Sequence, residues 1–255
     1  MPEHPEHLDD PAALRASDAF HDALATLSRF FVGDASVEET LDALAHTAVA
    51  ALPGADFAGM SLWRDGQLGT WAYTDPESPA VDQVQYETGH GPCLDAMRYG
   101  ELFTIDDTAE DDPRWPRFER ECTHHGIRST ASLPLVAGDE SIGGLNLYAR
   151  APEAFPLDEL HRARVFATSA AAVAYNSLRY HEAVALSEGL TEALASRATI
   201  EQAKGILMAR SAIDADQAFE VLVRASQREN RRLRTIAAEL VARTAAGEPA
   251  PEEVT

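Results

Sequence analysis

Residues 129–149 read STASLPLVAGDESIGGLNLYA. Two apolar runs, 129–136 and 141–149, flank Gly138-Asp139, a dipeptide suited to a tight turn. That pattern predicts a β-hairpin. Upstream, 56–63 and 67–74 flank Asp65-Gly66 and predict a second hairpin. Residues 81–87 and 101–105 are two further candidate strands, which makes six. Short helices are expected from near Cys93 and over 115–124. Helices interleaved with antiparallel hairpins predict an α+β domain around a central antiparallel sheet.

The periodicity on either side is helical. Phe20, Ala23, Leu24, Leu27 and Phe30 recur at the three-four interval, and Gly33 closes that helix. Ser36 and Glu39 form a capping-box pattern ahead of a stripe of Leu41, Leu44, Ala45, Ala48, Val49 and Leu52. Pro53-Gly54 stops it. After Pro156 no proline occurs until Pro249, and 157–210 is Ala-rich. So long a helical pattern suggests a coiled coil or signalling helix. Ala163, Ala167, Ala170 and Ala174 would give it a small-residue dimerisation seam, and Gly189 is its weak point. Next, Asp214 can N-cap a helix with Gln217 as its box partner, burying Ala218, Phe219, Leu222 and Val223. A last helix over 232–243 carries Leu233, Ile236, Ala237, Leu240 and Val241 on one face. Such short helices bury their faces only as a small bundle.

The net charge is -21, from 21 basic and 42 acidic residues. An acidic surface repels phosphate, which taken alone argues against nucleic acid. The acidity is uneven, however. Residues 187–245 hold nine basic and eight acidic residues, against twelve and 31 in residues 1–186. Residues 224–234 concentrate five arginines with a single acid, Glu229. Two cysteines give no disulfide framework, and MPEHPEHLDD is no signal peptide. No apolar run reaches membrane-span length. A cytoplasmic protein is expected.

IEQAKGILM (200–208), AFEVL (218–222) and SQRENRRLRTIA (226–237) together closely resemble the ANTAR domain, an RNA-binding antitermination module. The resemblance covers about 190–243. It implies that the partner is RNA, as tandem stem-loops of a nascent leader. Upstream, GPCLDAMR (91–98), PRWPRF (113–118), GIRSTASLPL (126–135) and IGGLNLYA (142–149) resemble the GAF domain that precedes ANTAR in actinobacterial regulators. That resemblance covers about 36–180 and implies a six-stranded sheet. GAF domains share a fold far more than a ligand, so the signal stays an unknown small molecule or redox state.

The implied organisation is a disordered 1–16, a GAF-like sensor over 17–180, a connecting helix at 181–189, an ANTAR-like domain over 190–245 and an acidic tail at 246–255. Candidate RNA contacts are Lys204, Ser226, Arg228, Asn230, Arg231, Arg232 and Arg234. Arginines contact phosphate and stack on exposed loop bases, although Glu229 and Glu239 offer them solvated ion pairs, and Asn230 could equally cap a helix. Gly205, beside the single lysine, costs helix stability; a close backbone approach, to a neighbouring helix or to RNA, would explain tolerating it, and packing is the favoured reason.

In the front half, Trp63, Trp71 and Tyr73 could line a ligand pocket or simply pack. Cys93 could be a redox sensor near a helix start, or a small buried residue. Arg128 could meet an anionic ligand or pair with Asp95. Neither a metal pattern nor a P-loop, HExxH or GxSxG motif is present, so no enzyme is expected.

These features combine into a homodimeric, signal-responsive antitermination regulator that acts on transcribing RNA polymerase indirectly. One rival is a DNA-binding regulator with the same sensor, whose basic helix would enter a major groove; the other is a signalling enzyme with a catalytic GAF-like pocket, a thiol-based reductase using Cys93.

Overall fold

The computed structural model describes residues 11–30, 33, 35–64, 66–110 and 113–247. The element order is α1 (Pro11–Ser28), α2 (Val37–Ala51), β1 (Phe57–Arg64), β2 (Gln67–Tyr73), α3 (Glu77–Thr88), α4 (Pro92–Tyr99), β3 (Phe103–Ile105), α5 (Pro116–His124), β4 (Ser129–Ala137), β5 (Glu140–Ala149), α6 (Leu157–Ser211), α7 (Ala215–Glu229) and α8 (Leu233–Ala245). The predicted disorder at 1–16 fails for 11–16, which open α1. Residues 1–10, Asp65 of the predicted turn and 248–255 of the predicted acidic tail lie outside the described residues.

Five strands form one antiparallel sheet in the order β2-β1-β5-β4-β3. The predicted sixth strand, 81–87, is instead part of α3. Its Ser78, Val81, Asp82 and Gln85 are buried at helical spacing. The β-branched and apolar residues there suggested a strand, but a four-residue buried stripe demands a 3.6-residue period. The two hairpins fall where the turn signals put them.

The chain divides into two compact units, one up to His181 and one from Glu182. In the first unit, one sheet face offers Ala58, Met60, Leu62, Leu133, Leu135, Leu145 and Leu147 to the main core. α1, α2 and the first turns of α6 cover it, the last through Ala163, Phe166, Ala167, Ala170, Ala171 and Ala174. The proposed alanine seam is therefore consumed inside the domain. Small side chains let α6 lie close to its own sheet, and no copy of the chain can reach them. The opposite sheet face meets α3, α4 and α5, with Phe57, Val81, Phe118, Cys122 and Tyr148 in a second apolar cluster.

In the second unit, Ala203 and Leu207 of α6, Ala218, Leu222 and Ala225 of α7, and Ile236, Ala237 and Leu240 of α8 form one buried cluster. Asp214 caps α7 with Gln217 as reciprocal partner, with both box hydrogen bonds made. Between the units' cores, α6 stays helical through Gly189, so the glycine lowers helix propensity without breaking the helix.

Candidate functional site

Two places in the described residues concentrate polar chemistry. The first is the space between the sheet and helices α3 and α4. Register puts Ser61 of β1 opposite Thr70 of β2, and Asn146 and Tyr148 share their sheet face from β5. α3 lays Asp82, Gln85 and Tyr86 over them. The Asp82 carboxylate is fully buried and accepts four hydrogen bonds. Its Oδ1 takes Tyr148 Oη at 2.6 Å, Asn146 Nδ2 at 2.9 Å and Gln85 Nε2 at 3.0 Å; its Oδ2 takes Thr70 Oγ1 at 2.8 Å.

A hydroxyl chain continues the cluster. Tyr86 Oη lies 2.7 Å from both Thr70 Oγ1 and Ser61 Oγ, and Asn146 Nδ2 donates to Ser61 Oγ at 3.1 Å. Gln85 ties in α4 by accepting the Cys93 amide at 2.9 Å. All the donors to Asp82 are neutral, so burial wins and raises its pKa from 3.8 to about 6, with the four hydrogen bonds opposing. Burial, reinforced by the Asp82 charge, raises the Tyr86 and Tyr148 phenols well above their ordinary range.

The four ligand candidates from the sequence are not brought together. Cys93 is buried over Gly144, where an added Cβ would stand 2.8 Å from its sulfur. Burial pushes its thiol up to about 12, with Asp82 adding to the shift. That opposes thiolate redox chemistry at neutral pH. Trp63 and Tyr73 stand on the β1–β2 hairpin, 56% and 43% exposed. Trp71 donates to the Leu62 carbonyl under the Arg64 guanidinium. Arg128 pairs with Asp107, not Asp95, through Nε at 2.9 Å and Nη2 at 2.5 Å. Asp95 instead accepts the Trp115 indole N–H at 2.8 Å. Asp82 and Gln85 were missed because residues 81–87 read as a strand, which hides the buried stripe of α3, and Asn146 because its partners lie 64 and 85 residues away in the chain.

The second place is the α7–α8 turn. Asn230 ends α7 in the left-handed region, φ 52° and ψ 42°, a conformation asparagine tolerates well. It serves as the C-cap. The Arg231 amide donates to the Ser226 carbonyl at 3.0 Å, and the Ser226 hydroxyl donates back to the Arg231 carbonyl. Arg231 forks between Glu229 at 2.8 Å and Glu239 at 2.9 Å, which clamps the turn to α8. Arg234 pairs with Glu192, and Lys204 with Glu201 at 3.0 Å. Arg224, Arg228 and Arg232 are exposed around this turn, with Arg224 3.6 Å from Glu220. Among the described residues, apart from its chain neighbours and its own helix's backbone, no atom lies within 4 Å of a Cβ built at Gly205. The packing reason for that glycine therefore fails.

The model of the GAF domain family matches residues 34–173, more than half of the chain. The chain belongs to the GAF domain family. The ANTAR domain model matches residues 188–241, so the two domains follow in that order. The polar cluster lies in the GAF domain and the arginine-rich turn in the ANTAR match. Among curated proteins, none matches the sequence. Solved structures resemble the GAF domain at low identity. The GAF domain of an Acinetobacter phosphoenolpyruvate-protein phosphotransferase is 12% identical, with a TM-score of 0.46 over 67% of this chain and 96% of that one. The free methionine-R-sulfoxide reductase of Neisseria meningitidis, in complex with its substrate, is 16% identical, with a TM-score of 0.48 over 71% and 99%. No helix of the described residues is long and apolar enough to cross a membrane.

Proposed function

We propose that this chain is a cytoplasmic, signal-responsive transcription antitermination regulator. Its GAF domain senses a small-molecule signal. Its ANTAR domain binds tandem stem-loops of nascent leader RNA, which lets RNA polymerase read on. The observation that carries this is a GAF match followed by an ANTAR match whose basic stretch is solvent-exposed. Arg228 and Arg232 are the primary phosphate and base contacts. Arg231, Ser226 and Asn230 shape the turn that presents them. Arg234 and Lys204 reach RNA by exchanging their glutamates for phosphate. The regulator works as a homodimer. Leu186, Leu190 and Leu194 of α6, 66%, 55% and 64% exposed, are the face a second copy covers.

A competition titration tests the partner. Tandem-hairpin RNA is expected to displace labelled RNA where duplex DNA of equal length does not. The log of affinity is expected to fall with log salt by about 0.7 per neutralised phosphate. Equal competition by duplex DNA, or a flat salt curve, removes RNA as the partner.

Gly205 supplies a second expected outcome. Alanine there removes the glycine penalty from an exposed helix position, so stability rises by about 1 kcal/mol. The same methyl occupies open space beside Lys204, where RNA would approach, and RNA affinity drops. A melting scan and an RNA titration on Gly205→Ala read the two opposite signs. Unchanged affinity takes Gly205 out of the RNA interface.

A further inference from the structure

The GAF cluster holds a carboxylate with no countercharge. Asp82 is fully buried, and none of its hydrogen-bond partners carries positive charge. The titratable groups around it are Tyr86 on its own helix, Tyr148 on β5, Cys93 on α4 and Cys122 on α5, all held neutral by burial. β1 and β2 contribute only the hydroxyls of Ser61 and Thr70. A buried anion held by neutral dipoles alone is costly, and it neutralises unless something compensates it.

A second, independent observation sits beside it. Asn146 is fully buried, and its Nδ2 serves both Asp82 and Ser61, yet its Oδ1 has no hydrogen-bond partner. An orphaned buried acceptor has given up its hydrogen bond to water without replacing it. An amide is nearly symmetric in shape, so turning it by half exchanges oxygen and nitrogen without new space. The cluster has no slack for a bulkier ligand: a Cβ at Gly59 would lie 3.3 Å from Asp82 Oδ2, and one at Gly144 2.8 Å from Cys93 Sγ. A proton needs no slack.

We propose that the Asp82–Asn146 pair is a proton-binding site of the GAF domain, in which one proton taken up at Asp82 Oδ1 is coupled to reversal of the Asn146 amide. In the ionised arrangement Asn146 Nδ2 donates to Asp82 Oδ1. In the neutral arrangement a proton from solvent forms one O–H bond at Oδ1 and is donated to Asn146 Oδ1. That oxygen now also accepts from Ser61, and the chain through Tyr86 reorients. Thr70 still donates to Oδ2. The buried charge is thereby removed and the orphaned oxygen gains two donors, while Nδ2 gives up its bonds to Asp82 and Ser61 and takes the oxygen's former place. Gln85 hydrogen-bonds Asp82 and holds the first turn of α4, so both helices over the sheet feel the change. The inference concerns the GAF domain alone and stands or falls apart from RNA binding.

The sign follows from linkage. The folded state holds this proton more tightly than the unfolded chain, so stability is lost as pH rises from about 4 through about 6. The test compares the full chain with Asp82→Asn by infrared titration of the buried carboxyl and by unfolding. A carboxyl band absent from the variant is expected to titrate near pH 6. The unfolding constant of the wild type relative to the variant is expected to rise about 25-fold from pH 4.5 to 7.5. Asn146 side-chain amide NMR signals should shift with the same midpoint. Should Asp82→Asn fail to fold, Thr70→Val supplies the check: losing a donor to the charged form raises the wild-type midpoint. A carboxyl that stays ionised to pH 4.5, an unmoved midpoint in Thr70→Val, or Asn146 signals indifferent to pH each overturns the coupled site.

Discussion

Replacing Arg228 and Arg232 together by alanine is expected to lower affinity for tandem stem-loop RNA about a hundredfold. A charge-assisted hydrogen bond contributes on the order of 1.5 kcal/mol net, and two such losses approach 3 kcal/mol. The salt slope should flatten by about 1.4, which is 0.7 for each single-strand phosphate that the variant no longer neutralises. The bundle should stay folded, because both side chains lie outside the Ala203–Leu222–Leu240 cluster. Arg231→Ala should behave differently. Its guanidinium bridges Glu229 and Glu239, so its removal loosens the turn and lowers the melting temperature along with RNA affinity. A titration at several salt concentrations beside a melting curve separates the two behaviours. If the double variant binds as tightly as the parent, these two arginines are not part of the RNA interface.

The largest stability effect is expected from Phe166→Ala. Phe166 is fully buried in the first part of α6, inside the cluster that joins α6 to α2 and the sheet. Truncating a buried phenylalanine removes its transfer free energy and leaves a cavity, together about 3–5 kcal/mol. That approaches the whole stability of many domains of this size. Leu194→Ala lies on the same helix and changes a side chain of similar hydrophobicity, but Leu194 is 64% exposed. Its effect on monomer stability should stay within about 0.5 kcal/mol. Denaturant midpoints of the two variants make the comparison. A small effect for Phe166→Ala would mean that this part of α6 is not seated in the core. A dimer that dissociates on Leu194→Ala would place the second copy on that face.

Both capping boxes were legible in advance, Ser36 with Glu39 and Asp214 with Gln217, because each is complete within four residues. Both hairpins were legible for the same reason. Residues 81–87 were not. Their apolar content fits strand or helix equally, and only the sheet beneath decides which period is buried. The alanines of α6 show the same ambiguity. Small residues mark a close approach without saying to what, and here they meet the domain's own core. Arg128 could be paired from the sequence with any nearby acid, and its partner is Asp107, 21 residues away.

What the linear chain determined by itself is its periodicities, its turns and caps, the crowding of arginines near its carboxyl end, and the two-domain resemblance these carry. Each depends on neighbours within a turn or two, where covalent geometry limits the options. The tertiary structure alone decided which charges are neutralised and which buried polar atoms go without a partner. Asp82 draws its donors from residues 3, 12, 64 and 66 positions away. Burial and partner choice are properties of a packed three-dimensional neighbourhood, and no local pattern encodes a neighbour sixty residues off.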